Sequence, residues 1–226
     1  ITVTEIRELY NATARPDITG TVLHLKPETG LVDQSGTQDP ATYNGGMGVV
    51  GREYVFDGTN DYISVPAGFS TITGGGNFSV SFWFNNPSDT TADYFGDFES
   101  SPWPFLIRQS STTIEVWIDI IKVIDINVPT SVGWKHLCVA HNGVDVVMWL
   151  NGVEITRSAY TLFPSVDANT IRIGYTTGSL GYLTGSMKDV RVMNVAITDA
   201  QVLSLYEGVP GYEPPAPVRA IPDTVL

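Results

Sequence analysis

The sequence has a single cysteine, Cys138, among its 226 residues. One cysteine cannot form a disulfide within the chain, and its segment HLCVAH favours a small buried thiol over a reactive one. Long apolar runs are also missing. None approaches the ~20 residues that a membrane-spanning helix needs, so no membrane insertion is expected.

Positive charge is scarce as well. Lys and Arg number 12 against 24 Asp and Glu, which gives a formal net charge of −12. Because phosphate groups are bound by Lys and Arg, this balance disfavours nucleic acid and anionic membranes as partners. It permits neutral ligands, and it permits cations such as calcium.

In place of long runs, the chain has short segments in which apolar and polar residues alternate. The clearest are NFSVSFWF (77–84), TIEVWIDI (113–120) and VVMWLNGVEI (146–155), with TIRIGY and MKDVRVMN further on. Period-two alternation is typical of β-strands, and Asn151-Gly152 is a strong signal for a hairpin turn. No helical run separates the strands. The sequence therefore predicts an all-β fold, a sandwich of two antiparallel sheets.

Helical signals occur in two places that match each other. In ITDAQVLSLYEG (197–208), Thr198 is an N-cap with Gln201 three residues later, and ITVTEIRELYN (1–11) has similar residues at the same spacing. Two interpretations stay open: a coincidence between short amphipathic helices, or residues 1–14 as the remnant of a preceding repeat. Neighbouring copies of the domain would then be partners. Residues 209–226 are rich in proline and predict a linker, which leaves 15–208 as the domain.

The order of the motifs resembles the laminin G-like branch of the concanavalin A-like lectin/glucanase folds. The motifs are YVFDGTNDYISVP, NFSVSFWF, GWKHLCVAHNGVDVVMWLNGVEI, IRIGY and YLTGSMKDVRVMNVAITDAQVLSLYEG, spread over roughly residues 21–208. The resemblance implies a jelly roll of two antiparallel sheets, one of them concave, closed by a short C-terminal helix. The early loop LVDQSGTQDPATYNGG and the insert NPSDTTADYFGDFESSPWPFLIRQ depart from the family pattern, so the ligand residues of the insert cannot be carried over.

The resemblance also implies a structural calcium ion between an early loop and the last strand. The matching residues are Asp189, with Asp57 and Asp33 from the early loops. Calcium takes six to eight oxygen ligands, many of them backbone carbonyls. The alternative is that Asp189 pairs with Lys188 or Arg191, and that Asp57 only caps its own turn in FDGTNDY.

Three tryptophans, Trp83, Trp117 and Trp149, fall on the polar side of their strands. If the three strands share the concave sheet, the rings form a platform on which sugar C–H faces can stack. The residues placed to hydrogen-bond sugar hydroxyls beside them are Glu115, Asp119 and Asn85. The alternative is that loops cover one or more of the rings.

Hydrolysis of a glycan is not expected. Glu115 and Asp119 are four strand residues apart, about 13 Å, whereas glycosidases place their two carboxylates about 5–9.5 Å apart. The sequence thus predicts a non-catalytic carbohydrate-binding or adhesion module on a cell or virion surface, with a neutral glycan as ligand. The alternative is a purely structural module of an array or particle, without a ligand.

Overall fold

The computed structural model describes residues 18–38, 40–87, 91–97, 104–128, 133–164, 170–176 and 181–208. Its strands are β1 (Thr21–Leu25), β2 (Thr42–Asn44), β3 (Gly48–Val50), β4 (Glu53–Asp57), β5 (Tyr62–Val65), β6 (Phe78–Asn85), β7 (Ala92–Asp97), β8 (Phe105–Ser110), β9 (Thr113–Ile118), β10 (Ile121–Asn127), β11 (Lys135–His141), β12 (Asp145–Leu150), β13 (Val153–Ala159), β14 (Ile171–Ile173) and β15 (Thr184–Met193). Its helices are a 3₁₀ turn (Pro27–Thr29), α1 (Phe69–Thr73) and α2 (Asp199–Glu207).

The strands form two sheets. Sheet A has the order β13-β12-β11-β6-β15-β4-β3, with β1 also paired to β15, and sheet B has the order β10-β9-β8-β7-β14-β5-β2. Within each sheet, every pair of neighbouring strands is antiparallel. The prediction of an all-β, two-sheet jelly roll with a short C-terminal helix is confirmed.

Alternation within the strands decides which side chains enter the core. The even-numbered residues of β6, from Phe78 to Phe84, are buried and pack in one cluster with Ile114, Val116 and Ile118 of β9. Rings of Phe69 and Phe105 stack 4.5 Å apart at one end of this core. Because successive strand residues point to opposite faces, the odd-numbered residues of β6 and β9 must lie on the outer faces of the sandwich.

Two of the hairpin turns that use left-handed backbone do so with different kinds of residue. In the β12–β13 turn, Asn151 and Gly152 have φ of 52° and 81°, as the sequence predicts for this pair. In the β9–β10 turn, Asp119 and Ile120 have φ of 47° and 66°. Isoleucine is poorly suited to this conformation, because its branched Cβ crowds the backbone.

Helix α2 covers part of the outer face of sheet A. Thr198 and Gln201 form the predicted capping box, and the helix buries Val202, Leu205 and Tyr206 against the sheet. Below it lie Cys138 and Trp149, both buried.

This packing corrects the prediction of a shared tryptophan platform. Trp83 and Trp149 are buried, with 0% and 3% of their surface exposed, because α2 closes over them. Their strands β6 and β12 belong to sheet A, whereas Trp117 on β9 belongs to sheet B. The three rings therefore lie on two different sheets. Ser79 and Ser81 share the outward side of β6 with Trp83 and therefore indicated exposure, but a helix can also cover an outer sheet face that carries polar residues.

Two segments that the sequence singled out, residues 1–14 and 209–226, lie outside the described residues. Their interpretation as a repeat remnant and a proline-rich linker therefore stays a prediction, as does the domain boundary at 15–208. Among the helices that the structure describes, none has the length and apolar character to cross a membrane.

Candidate functional site

The outer face of sheet B is the strongest candidate for a binding surface. Unlike sheet A, it has no helix packed over it within the described part of the chain. Strand register and alternation direct to this face the polar and aromatic side chains of Asn44, Tyr62, Ser64, Asp93, Arg108, Glu115, Trp117, Lys122, Asp125 and Arg172.

Trp117 is the centre of the first group on this face. Its indole N–H donates a hydrogen bond of 2.9 Å to Glu115 Oε2. Lys122 on the neighbouring strand donates to Glu115 Oε1 at 3.2 Å and to Asp125 Oδ2 at 2.6 Å, and its Nζ lies 5.7 Å from the Trp117 ring centroid. The ring is partly exposed while its polar edge is held, so its orientation is set before any ligand arrives.

A second aromatic group lies on the other side of the same face. The rings of Tyr175 and Tyr182 stack with centroids 3.9 Å apart, and Tyr62 packs on Tyr175 at 5.6 Å. The Arg172 guanidinium lies 5.2 Å from the Tyr62 ring centroid. All four side chains are partly exposed. We call these residues the tyrosine cluster. The sequence did not reveal this cluster, because Tyr175 and Tyr182 follow no strand periodicity.

An ion pair lies on this face between the Trp117 group and the tyrosine cluster. Arg108 Nε donates to Asp93 Oδ1 at 3.1 Å, and the Thr176 hydroxyl donates to the other carboxylate oxygen. Asp93 is fully buried, whereas Arg108 is only partly covered. Trp117 and Tyr62 lie on strands four spacings apart, about 19 Å. The face is therefore wide enough for an extended ligand that contacts both aromatic groups and Arg108.

The predicted ligand residues therefore lie on two different sheets. Glu115 and Trp117 are in direct contact, and Asp119 follows them in the β9–β10 turn. Asn85 lies in sheet A, opposite Ser186 in the register, and its buried side-chain oxygen has no hydrogen-bond partner among the described residues.

The two remaining tryptophans have internal partners on sheet A. Trp83 stacks on Tyr206 of α2 with ring centroids 5.6 Å apart. Trp149 donates its indole N–H to Asp199 at 2.9 Å. It lines a recess of about 250 Å³ beside the start of α2, together with Ala140, Asn142, Val147, Arg157, Ala196, Ile197, Thr198 and Asp199.

Asp189, a predicted calcium ligand, has other partners. Its Oδ1 lies 2.6 Å from His24 Nε2 and 3.2 Å from the Arg191 guanidinium, and all three side chains are buried. Burial lowers the pKa of His24 more than the hydrogen bond to Asp189 raises it. The negative charge of Asp189 is therefore compensated by Arg191, as the alternative interpretation of the sequence held.

Asp33 and Asp57 accept hydrogen bonds from nearby backbone amides. Asp33 accepts hydrogen bonds from the backbone amides of His24, Ser35, Thr37 and Gln38. Burial raises its pKa, but the hydrogen bonds from Ser35 and the backbone outweigh burial and lower the pKa overall.

Asp57 is exposed and accepts hydrogen bonds from the amides of Thr59 and Asn60. Across the described ranges, no three His, Cys, Asp or Glu side chains are grouped in a way that could hold a metal. Asp189 has Arg191 as its counter-ion, and Asp33 and Asp57 accept hydrogen bonds from nearby backbone amides, so a calcium ion at these residues stays a prediction.

A laminin G family model, described as the concanavalin A-like lectin/glucanases superfamily, matches residues 57–203. Human usherin is 30% identical over 81 residues, which cover 33% of this chain and 2% of usherin. Among solved structures, the receptor-binding domain of botulinum neurotoxin C/D mosaic serotype has a TM-score of 0.69 at 15% identity, covering 84% of this chain and 51% of that one.

Another similar structure is Domain 4 of AbnA, a GH43 extracellular arabinanase from Geobacillus stearothermophilus, in complex with arabinotriose. Its TM-score is 0.63 at 21% identity, covering 82% of this chain and 98% of that domain. At these identities the structural likeness concerns the fold alone. The chain spans about half of the neurotoxin domain and a small fraction of usherin.

Proposed function

The chain belongs to the laminin G family of the concanavalin A-like lectin/glucanases superfamily, and on this premise we propose that it is a non-catalytic carbohydrate-binding module. The observation that carries the proposal is Trp117, a partly exposed ring held at its polar edge by Glu115 on the outer face of sheet B. A sugar ring stacks its C–H face on such an indole, and its hydroxyls find donors and acceptors in Arg108, Lys122 and Glu115. Presetting the ring reduces the conformational entropy lost on binding.

The expected ligand is a neutral glycan. The net charge of −12 repels strongly anionic polymers at long range. Lys122 and Arg108 do not reverse this effect, because Lys122 is paired with Glu115 and Asp125, and Arg108 with Asp93. Domain 4 of AbnA, which shares the fold, is a structure in complex with a neutral trisaccharide, and this supports the same ligand class.

We expect no glycoside hydrolysis by Glu115 and Asp125, two carboxylates of this face. Glu115 and Asp125 are near each other, but Lys122 donates to both carboxylates and occupies the space between them. A glycosidase needs that space for the glycosidic oxygen and, in inverting enzymes, for a water molecule. Binding without cleavage fits an adhesion role outside a cell or on a virion, which is the location that we propose.

The test is a screen of the purified chain against neutral and acidic glycans, in parallel with and without calcium. Binding to a neutral oligosaccharide, measured again by calorimetry, is the expected result. Titration with fragments of increasing length then shows whether the tyrosine cluster is reached as well. If no glycan binds in either condition, the chain is better described as a structural module of an array or particle.

A further inference from the structure

A recess of about 250 Å³ lies on the outer face of sheet A, beside the start of α2. We call it the α2 recess. The function proposed above uses Trp117 on sheet B, so this space lies outside it. At about 30 Å³ for each water molecule, the recess has the volume of roughly eight waters, less than the roughly 300–1,000 Å³ of pockets for drug-sized ligands. It therefore has room for one small ring and not for a chain of several.

Strand register explains why this space exists. One row of outward side chains crosses β6, β11, β12 and β13, and consists of Ser79, Ala140, Val147 and Arg157. Ser79 is covered, because its hydroxyl donates to the carbonyl of Val195, just before α2, at 2.8 Å. Ala140 and Val147 are too small to fill the space beyond that crossing. Their methyl groups form an apolar floor, and the exposed Arg157 forms the outer rim.

Two other side chains of the rim keep hydrogen-bonding atoms of opposite kind. Asp199 accepts the indole N–H of Trp149 at Oδ1, and its Oδ2 has no partner among the residues that the structure describes, so an acceptor is left. Asn142 Oδ1 accepts the backbone amides of Val144 and Asp145 at 3.0 and 2.8 Å. Its amide nitrogen is thereby left as a donor.

Arg157 adds donors from a fixed position. Glu154 accepts hydrogen bonds from its Nε at 3.2 Å and from its Nη2 at 2.9 Å, and Asp145 accepts from its Nη1 at 3.2 Å. A guanidinium has five N–H donors, so two remain for a ligand. Thr198 and Gln201 already cap the start of α2. The polar atoms that the recess presents therefore belong to side chains.

The combination of an acceptor with two kinds of donor identifies the group that fits. A hydroxyl both donates and accepts, so neighbouring hydroxyls can satisfy Asp199, Asn142 and Arg157 at once. A carboxylate would meet the negative charge of Asp199, and an ammonium would find no acceptor in Arg157. The floor of Ala140 and Val147 suits C–H groups instead. A ring with hydroxyls on its edge and C–H groups on its face has both properties.

We propose that the α2 recess binds one neutral sugar ring, as a second site independent of Trp117. Trp149 forms part of its wall and is held by Asp199, as Trp117 is held by Glu115 on the other sheet. Because the recess takes a single ring, it recognises the end or a branch of a glycan. Two sites on opposite sheets allow one chain to hold two glycans, or two parts of one branched glycan.

The experiment is a titration of the isotope-labelled whole chain with glucose, galactose, mannose and arabinose, followed by NMR at the indole N–H of Trp149. That signal is assigned by its absence from Trp149→Phe. We expect at least one sugar to shift it with a Kd on the order of 1–10 mM, because a small ligand makes few contacts.

Two variants test the geometry of the site. Asp199→Asn keeps an oxygen for the indole but replaces the remaining acceptor by a donor, and should weaken sugar binding about tenfold. Ala140→Val keeps strand propensity and fills the floor, and should abolish binding. The matched control is Glu207→Gln, which removes the same charge at the exposed far end of α2 and should change nothing.

Three results would overturn the proposal. No sugar shifts the Trp149 signal, or Asp199→Asn weakens binding no more than Glu207→Gln does. In the third, propionate or propylammonium shifts the signal while no sugar does, which would make the recess a site for a charged group. A sugar that shifts the signal equally in the native chain and in Trp117→Ala, with no ligand that depends on Trp117, would refute the proposed function and leave this inference standing.

Discussion

The indole N–H of Trp117 and the carboxylate of Glu115 are joined by a 2.9 Å hydrogen bond between side chains two residues apart on one strand. Residues at positions i and i+2 of a strand share a face, so this contact follows directly from the alternation in TIEVWI. Glu115 is buried while Trp117 keeps part of its ring in solvent. The pair therefore consists of a fixed support and an accessible ring, and the first prediction separates the two roles.

Trp117→Ala should fold with a small loss of stability, below about 2 kcal/mol, because the ring is only partly buried. It should lower affinity for the glycan found in the screen by at least about tenfold, since stacking on the ring is lost. Trp117→Phe keeps an aromatic face but not the hydrogen bond to Glu115. Its glycan affinity should lie between those of the native chain and Trp117→Ala. Urea denaturation and calorimetry measure both effects. Unchanged glycan affinity in Trp117→Ala would remove this ring from the binding site.

Trp83→Ala and Trp149→Ala should behave in the opposite way. Both rings are buried beneath α2, so each truncation leaves a cavity and should cost about 3–5 kcal/mol in the free energy of unfolding. Trp149→Phe should cost less, because it fills most of the volume and loses mainly the bond to Asp199. The control is Trp117→Ala, measured in the same denaturant series. Equal stability of all three alanine variants would contradict the burial of Trp83 and Trp149.

Calcium binding stays a prediction, and Asp189 provides its test. Because Arg191 and His24 already contact this carboxylate, we expect a chelator at matched ionic strength to leave the melting temperature unchanged. Asp189→Asn should destabilise the chain by about 3–5 kcal/mol with or without calcium, since it leaves the Arg191 charge buried without its counter-ion. A chelator-induced fall in melting temperature that disappears in Asp189→Asn would instead show a calcium site at this residue.

Stability should fall in mild acid because of buried histidines. Burial holds the pKa of His136 at about 3, against 6.5 for an exposed histidine, and it also lowers the pKa of His24 and His141. The unfolded chain then binds more protons below pH 6.5. The stability from neutral His136 is complete above that pH and is lost as the pH falls toward about 3, by at most about 1.4 kcal/mol per pH unit.

Thermal melting from pH 8 to pH 4 measures this dependence. His136→Gln cannot titrate, so its melting temperature should fall less steeply with acid, whatever its stability at pH 8. Ser81, whose hydroxyl lies 2.7 Å from His136 Nε2, provides a control: Ser81→Ala removes the contact and keeps the titrating ring. Parallel slopes in the native chain and His136→Gln would show that this histidine does not contribute to acid sensitivity.

The sequence alone determined the strands, the residues that point into the core, and the C-terminal helix. The alternation of Phe78 to Phe84, the Asn151-Gly152 turn and the Thr198 capping box each depend on residues close together in the chain, where backbone geometry and local hydrogen bonds decide the outcome. The contact between Glu115 and Trp117 is local in the same sense. For that reason the sequence also placed together Glu115 and Trp117, two of the predicted ligand residues, whose side chains are in contact in the structure.

Only the tertiary structure decided which outer face a helix covers. Trp83 and Trp117 follow the same alternation in their strands, yet Trp83 lies under α2 whereas Trp117 is partly exposed. The tyrosine cluster likewise joins residues that are far apart in the chain. Period-two alternation tells which side chains leave the core of the sandwich. Whether they then meet a helix, another loop or water depends on contacts between distant segments, which no local pattern in the sequence carries.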